Sequence, residues 1–174
     1  MAEESTGGSY KAPILVLALG NRDAGDEALG SALLQDLAQR YRYAGGFIEF
    51  IDGGTAGLEL LFCFAGRQII VILDALSGVG QPGAVSALEG AEVLRYVNGD
   101  SPAVHPGDAH ELLSTAAFLG DLPDHFYVVG VQPGNLHQGT DFSDPVRSAL
   151  QTAAGEAQRI IDSWLVELAE PVYA

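Results

Sequence analysis

Two short, continuously apolar runs, Ile-Leu-Val-Leu-Ala-Leu at 14–19 and Ile-Ile-Val-Ile-Leu at 69–73, constrain this chain more than any other feature. Unbroken apolar runs of this length mark strands covered on both faces, because a half-exposed strand would alternate with polar residues. Each run stops abruptly, the first at Gly20-Asn21 and the second at Asp74. Between them Leu29, Leu33, Leu34, Leu37 and Tyr41 recur at three- and four-residue intervals. That spacing predicts an amphipathic helix beginning near Asp26 and packed on the sheet.

The remaining segments extend the same alternation. Phe-Ile-Glu-Phe-Ile at 47–51 reads as a strand ending in Asp52-Gly53-Gly54-Thr55, with Thr55 placed to cap a helix over 57–65. The glycine-rich stretch 77–90 reads as a loop with a short strand at 84–88 at a sheet edge. Another loop covers 98–108, and Asp108 can cap a helix from Ala109 to about Leu119. A last core strand is predicted at 126–132 and a closing helix from Pro145 to Glu170. Strands alternating with helices predict an α/β protein, a three-layer α/β/α sandwich with a mostly parallel central sheet. The 174 residues suffice for one domain, read here as 13–174 behind a disordered leader at 1–12.

Eight basic residues against 23 acidic ones give a formal charge of −15. Such a surface repels phosphate backbones and anionic lipid, so nucleic acid is a poor partner and a basic or metal-carrying protein a better one. Cys63 is the single cysteine, which excludes an internal disulfide, and its setting Glu-Leu-Leu-Phe-Cys-Phe suits a buried small hydrophobe. The N-terminus lacks the basic and apolar regions of a signal peptide, and no stretch is apolar for long enough to insert in a membrane, which points to the cytoplasm.

Motifs for familiar chemistries are missing. Gly20, Gly25 and Gly30 do not form the dinucleotide fingerprint, no phosphate-binding Gly-Lys-Ser/Thr follows, and no serine sits in a nucleophile elbow. Asp26 and Glu27 suit a helix start, Asp26 as a cap and Glu27 as a favourable charge on the helix dipole. Asp52 and Asp74 each follow a strand, where open sheets build their sites. Of four histidines, His105 lies in a loop free to turn towards the carboxylates, whereas His110 falls in a first helical turn. Glutamate, aspartate and histidine together offer two oxygen ligands and one nitrogen ligand, a set suited to a borderline divalent ion such as nickel or zinc.

These segments, taken in order, resemble the hydrogenase maturation proteases. The apolar strand with Gly-Asn, a short loop and Asp-Glu-x-x-Gly corresponds to ILVLALGNRDAGDEALG; Asp-Gly-Gly-Thr-x-Gly corresponds to 52–57; the strand ending in Asp-Ala corresponds to 69–75. The resemblance spans 13 to 169 and implies an endopeptidase that removes a C-terminal extension from the large subunit of a nickel-iron hydrogenase. It implies that Glu27, Asp74 and His105 engage nickel already carried by the immature subunit, with His110 the alternative to His105. Asn21, Asp52 and Thr55 would shape the cleft or hold the tail. By this reading nickel belongs to the substrate, and the partner is the immature large subunit. The rival expectations are another hydrolase on the same scaffold, a non-catalytic nickel-dependent assembly factor for the same precursor, and an acidic protein whose Glu27 and Asp74 only cap elements.

Overall fold

The computed structural model describes residues 10–99, 109–134 and 141–170. Five strands, β1 (Ile14–Leu19), β2 (Ile48–Gly54), β3 (Ile69–Ala75), β4 (Val85–Glu89) and β5 (His125–Val131), form one sheet in the order β2-β1-β3-β5-β4. The pairs β1/β2, β1/β3 and β3/β5 are parallel, and β4 runs antiparallel along β5 at the edge. Four α-helices accompany it: α1 (Leu29–Arg40), α2 (Ala91–Asn98), α3 (Ala109–Leu119) and α4 (Asp144–Ala169). Two 3-10 segments, Gly25–Ala28 and Gly57–Cys63, complete the set.

The strand period of two divides the core into two faces. Ile14, Val16 and Ala18 pack with α1 and α4, while Leu15, Leu17 and Leu19 pack with the 57–63 segment, α2 and α3. Helical layers therefore cover both sides of the sheet, the three-layer arrangement expected from the uninterrupted apolar strands. Among the described residues no helix is long and apolar enough to cross a membrane. Cys63 is buried, and burial pushes its thiol pKa up, which suits the packing role read from its neighbours.

Several local expectations are corrected. The helix expected from Asp26 is a 3-10 turn first, and α-helical geometry starts at Leu29. β2 continues through Asp52-Gly53-Gly54, because a bulge pairs Ala18 with Asp52 and Leu19 with Gly54, leaving Gly53 as the extra residue. A side chain at Gly53 would press on Leu60 and on the Ala18 carbonyl, so the bulge needs glycine there. The 57–63 segment is a 3-10 helix entered from Ala56 without a side-chain cap, and Thr55 plays no capping role. α2 was not legible because its eight residues bury only Val93 and Val97, too short a stripe to stand out. Asp108 lies outside the described residues. At the chain's start, Tyr10 donates to the Gly46 carbonyl, Lys11 reaches the Phe62 and Ala65 carbonyls, and Ala12 is buried.

α1 lies directly on the sheet at Gly30, where a Cβ would overlap the carbonyl oxygen of Leu19 and come within 2.5 Å of that of Leu73. Farther along, α1 is tied to α4 through Arg40, which pairs with Asp36 and donates to Gln158 at 2.7 Å, and through the Tyr41 hydroxyl, which donates to Asp162 at 2.5 Å. Burial, reinforced by Asp162, pushes the Tyr41 phenol pKa up.

Gly30→Ala should destabilise the protein by about 1–3 kcal/mol in chemical denaturation, since backbone on both sides must retreat; unchanged stability would contradict the close approach. For Tyr41 the folded pKa lies above the unfolded one, so its contribution is complete below the unfolded value and declines as pH rises above it. The stability difference between the wild type and Tyr41→Phe should accordingly be constant from pH 7 to 9 and shrink above about pH 10.

Candidate active site

In this strand order β2 lies on one side of β1 and β3 on the other, so the progression of strands across the sheet reverses between β1 and β3. The carboxyl end of that crevice is where open α/β sheets hold ligands, since the connections part there and leave a cleft. Gly20 leaves β1 at this point and Asp74 closes β3 beside it. Gly20 has a φ of 107°, a value that favours glycine, and a Cβ on it would overlap the Glu27 carbonyl oxygen and lie 3.7 Å from Asp74 Oδ1. The bare glycine thus lets the turn carrying Glu27 fold back against the end of β1, next to the Asp74 carboxylate.

The two acids sit differently. Asp74 is 8% exposed, and its Oδ1 accepts a 2.8 Å bond from the Ala75 amide. Glu27 is half-buried in the 3-10 turn. Gly130 on β5 is in register with Asp74, and a side chain there would collide with the Asp74 carbonyl, so the strands press together where that carboxylate emerges. His105 lies outside the described residues. His110 is on the first turn of α3, where Nδ1 is 3.4 Å from Ser114 Oγ, and no set of three histidine, cysteine or carboxylate side chains is arranged as a metal site among the described residues.

Asn21 and Asp52 order the rim. Asn21 Oδ1 accepts from the Asp23 amide at 3.0 Å, and Asp52 Oδ1 accepts from the Gly54 amide at 3.2 Å, each a local turn. Asp52 Oδ2 also pairs at 3.0 Å with Arg22, a cation missed in the sequence because nothing in the order of residues links the loop after β1 to the end of β2. Thr55 is exposed beyond the bulge.

Asp26 is the largest departure from expectation. Read as a cap, it is 1% exposed, and the N-cap position of the 3-10 turn falls on Ala24 instead. Its carboxylate accepts bonds from the Gly134 amide at 2.8 Å, the Ser143 amide at 2.7 Å and the Ser143 hydroxyl at 2.8 Å. Neither Gly134 nor Ser143 was singled out in the sequence; Ser143-Asp144-Pro145 reads only as a helix start.

Against this geometry stand the comparisons. Residues 32–160 match the sequence model of the hydrogenase maturation proteases of HycI type. The chain belongs to the hydrogenase maturation protease family. The hydrogenase 2 maturation protease of Escherichia coli K12 is 36% identical over 142 residues, covering 80% of this chain and 85% of that protein. The hydrogenase expression/formation protein HupM of Azotobacter chroococcum mcd 1 is 32% identical over 141 residues, 80% of this chain and 67% of the relative. Among solved structures, the E. coli maturating endopeptidase HybD superposes with a TM-score of 0.74 at 31% identity, covering 86% of this chain and 92% of that one. HybD from Thermococcus kodakarensis gives 0.67 at 27% identity, over 84% and 97%. This maturation protease is thus an endopeptidase on a mixed α/β scaffold. Asp74 and His105 fall within the span matched by the family's sequence model, and Glu27 lies just ahead of it.

Replacing Gly20 by alanine should force the Glu27 turn away from β1. Carboxyl-carbon NMR should then show displaced Glu27 and Asp74 signals while the remote Glu156 signal stays in place; unmoved signals at both acids would contradict the packing described.

Proposed function

We propose that this maturation protease removes the C-terminal extension of a nickel-iron hydrogenase large-subunit precursor after nickel insertion. Glu27, Asp74 and His105 engage the nickel carried by that precursor. The observation that carries the reading is the meeting of the Glu27 turn and the Asp74 carboxylate at Gly20, at the switch-point crevice of a chain that belongs to this family. Structure supports the two acids, and sequence resemblance alone supports His105.

The chemistry follows from the donor set. Two carboxylates and an imidazole suit a borderline divalent ion, and such an ion in the substrate needs only partial capture to be sensed. Docking through the nickel sets the tail peptide in the crevice, where the metal polarises a carbonyl and water attacks it. Attack forms the carbon–oxygen bond as the water gives up a proton, the carbon–nitrogen bond then breaks, and the leaving amine takes that proton. Arg22, held by Asp52 on the rim, and Asn21 shape the approach of the tail. The strongly acidic surface of the chain favours a metal-bearing partner over an apo one and attracts basic residues near the cut.

Incubating a large-subunit precursor with the protease, with and without prior nickel loading, should produce a C-terminal mass loss only in the loaded sample. Glu27→Gln and Asp74→Asn should each slow that loss by at least about tenfold while leaving the fold intact. A verified complex of nickel-loaded precursor and protease that never loses mass would overturn the proteolytic assignment for that pair.

A further inference from the structure

We propose that Asp26 is a positioning residue of this reaction, clamping the turn that carries Glu27 to both ends of the connection between β5 and α4. The inference rests on the proteolytic reading above and adds a residue to it.

Three features carry it. First, a carboxylate with 1% exposure accepts hydrogen bonds from Gly134 at one end of the connection and from the amide and hydroxyl of Ser143 at the other. Second, Ser143 occupies the N-cap position of α4, where a serine hydroxyl ordinarily accepts from the helix's own first amides, yet it makes no such bond and turns to Asp26 instead. A local preference set aside in this way is a sign that the contact serves something other than the helix. Third, the two ends are drawn tightly together: a Cβ on Gly134 would lie 2.7 Å from Ser143 Oγ.

The clamp spans the two sides of the crevice. Asp26 directly precedes Glu27, and Gly134 lies four residues beyond Gly130, the strand partner of Asp74. Fixing one to the other fixes how far the Glu27 turn stands from the β3/β5 edge. Only a carboxylate meets the demand, since both of its oxygens face N–H donors. An asparagine would turn its own N–H₂ towards one of those amides in either orientation of the side chain.

The test uses nickel-loaded precursor in single-turnover shortening, with precursor affinity measured separately and at a temperature where each variant is folded. Asp26→Asn should lower the shortening rate at least tenfold with affinity held within twofold. Ser143→Ala should lower it several-fold, and Ser143→Thr, which keeps the hydroxyl, should restore it. A merely structural staple would not separate rate from affinity in this way. Wild-type rates in Asp26→Asn and Ser143→Ala would overturn the proposal, as would a parallel loss of rate and affinity. Should Asp26→Asn fail to fold, the Ser143 pair decides by the same criteria. Should the wild type itself leave the precursor intact, the proteolytic reading fails, and with it a role in that reaction. Amide hydrogen exchange then decides the clamp itself: Ser143→Ala should loosen Gly134 and residues 25–28 together, and protection lost at Gly134 alone would overturn the coupling.

Discussion

The architecture depends on backbone meeting backbone at the carboxyl end of β1. Gly20 and Gly30 lack the side chains that would hold α1 and its preceding turn away from the sheet, so α1 rests against the strand carbonyls of Leu19 and Leu73 and the turn's Glu27 carbonyl lies against Gly20. Everything near the candidate site follows from that contact. The 3-10 turn is folded back over the end of β1, Glu27 is delivered beside β3, and Asp26 is driven into the interior, where its charge must be matched by donors. Gly134 and Ser143 are among them.

Two layers of polar organisation surround the apolar strands. At the carboxyl edge, Asp26, Asp74 and Asp52 each have a specific backbone or side-chain partner, which limits how freely the crevice can rearrange. At the other end, buried Arg67, just ahead of β3, donates to the Ala12 and Cys63 carbonyls and pairs with Glu49, joining the segment before β1, the 57–63 segment and β2. Buried charge is retained at both ends but with different consequences. Arg67 works at the end of the sheet away from Glu27 and Asp74, whereas Asp26 ties the turn that holds Glu27 to Gly134, just past β5, and to the start of α4.

The centre of the sheet was legible because β1 and β3 are apolar without interruption up to Asp74, a pattern that leaves little choice but burial on both faces. The face of α1 was legible from its three- and four-residue apolar spacing, and Asp74 from its position directly after an apolar run. α2 was hidden by its brevity, the 3-10 geometry at 25–28 and 57–63 by the similarity of its spacing to a helix, and the β2 bulge by glycines that also suit a turn. Asp26 misled because an acid at a helix start has an ordinary local explanation, and its actual partners lie 108 and 117 residues away in the chain. Arg22 and Ser143 were invisible for the same physical cause: their partners are long-range, and no local pattern encodes them. Glu27 and Asp74 were singled out through the order of motifs, and the Glu27 turn and the Asp74 carboxylate meet at Gly20; His105 stands outside the described residues.

The proposed function requires that substrate-borne nickel be read by carboxylates held at the β1/β3 crevice. The most direct measurement is nickel X-ray absorption of a loaded precursor, taken alone, in complex with the wild-type protease, and in complex with a Glu27→Gln/Asp74→Asn variant that still binds it. The account predicts additional oxygen ligands on nickel in the wild-type complex and their loss with the variant. A nickel spectrum unchanged between free precursor and wild-type complex would contradict it.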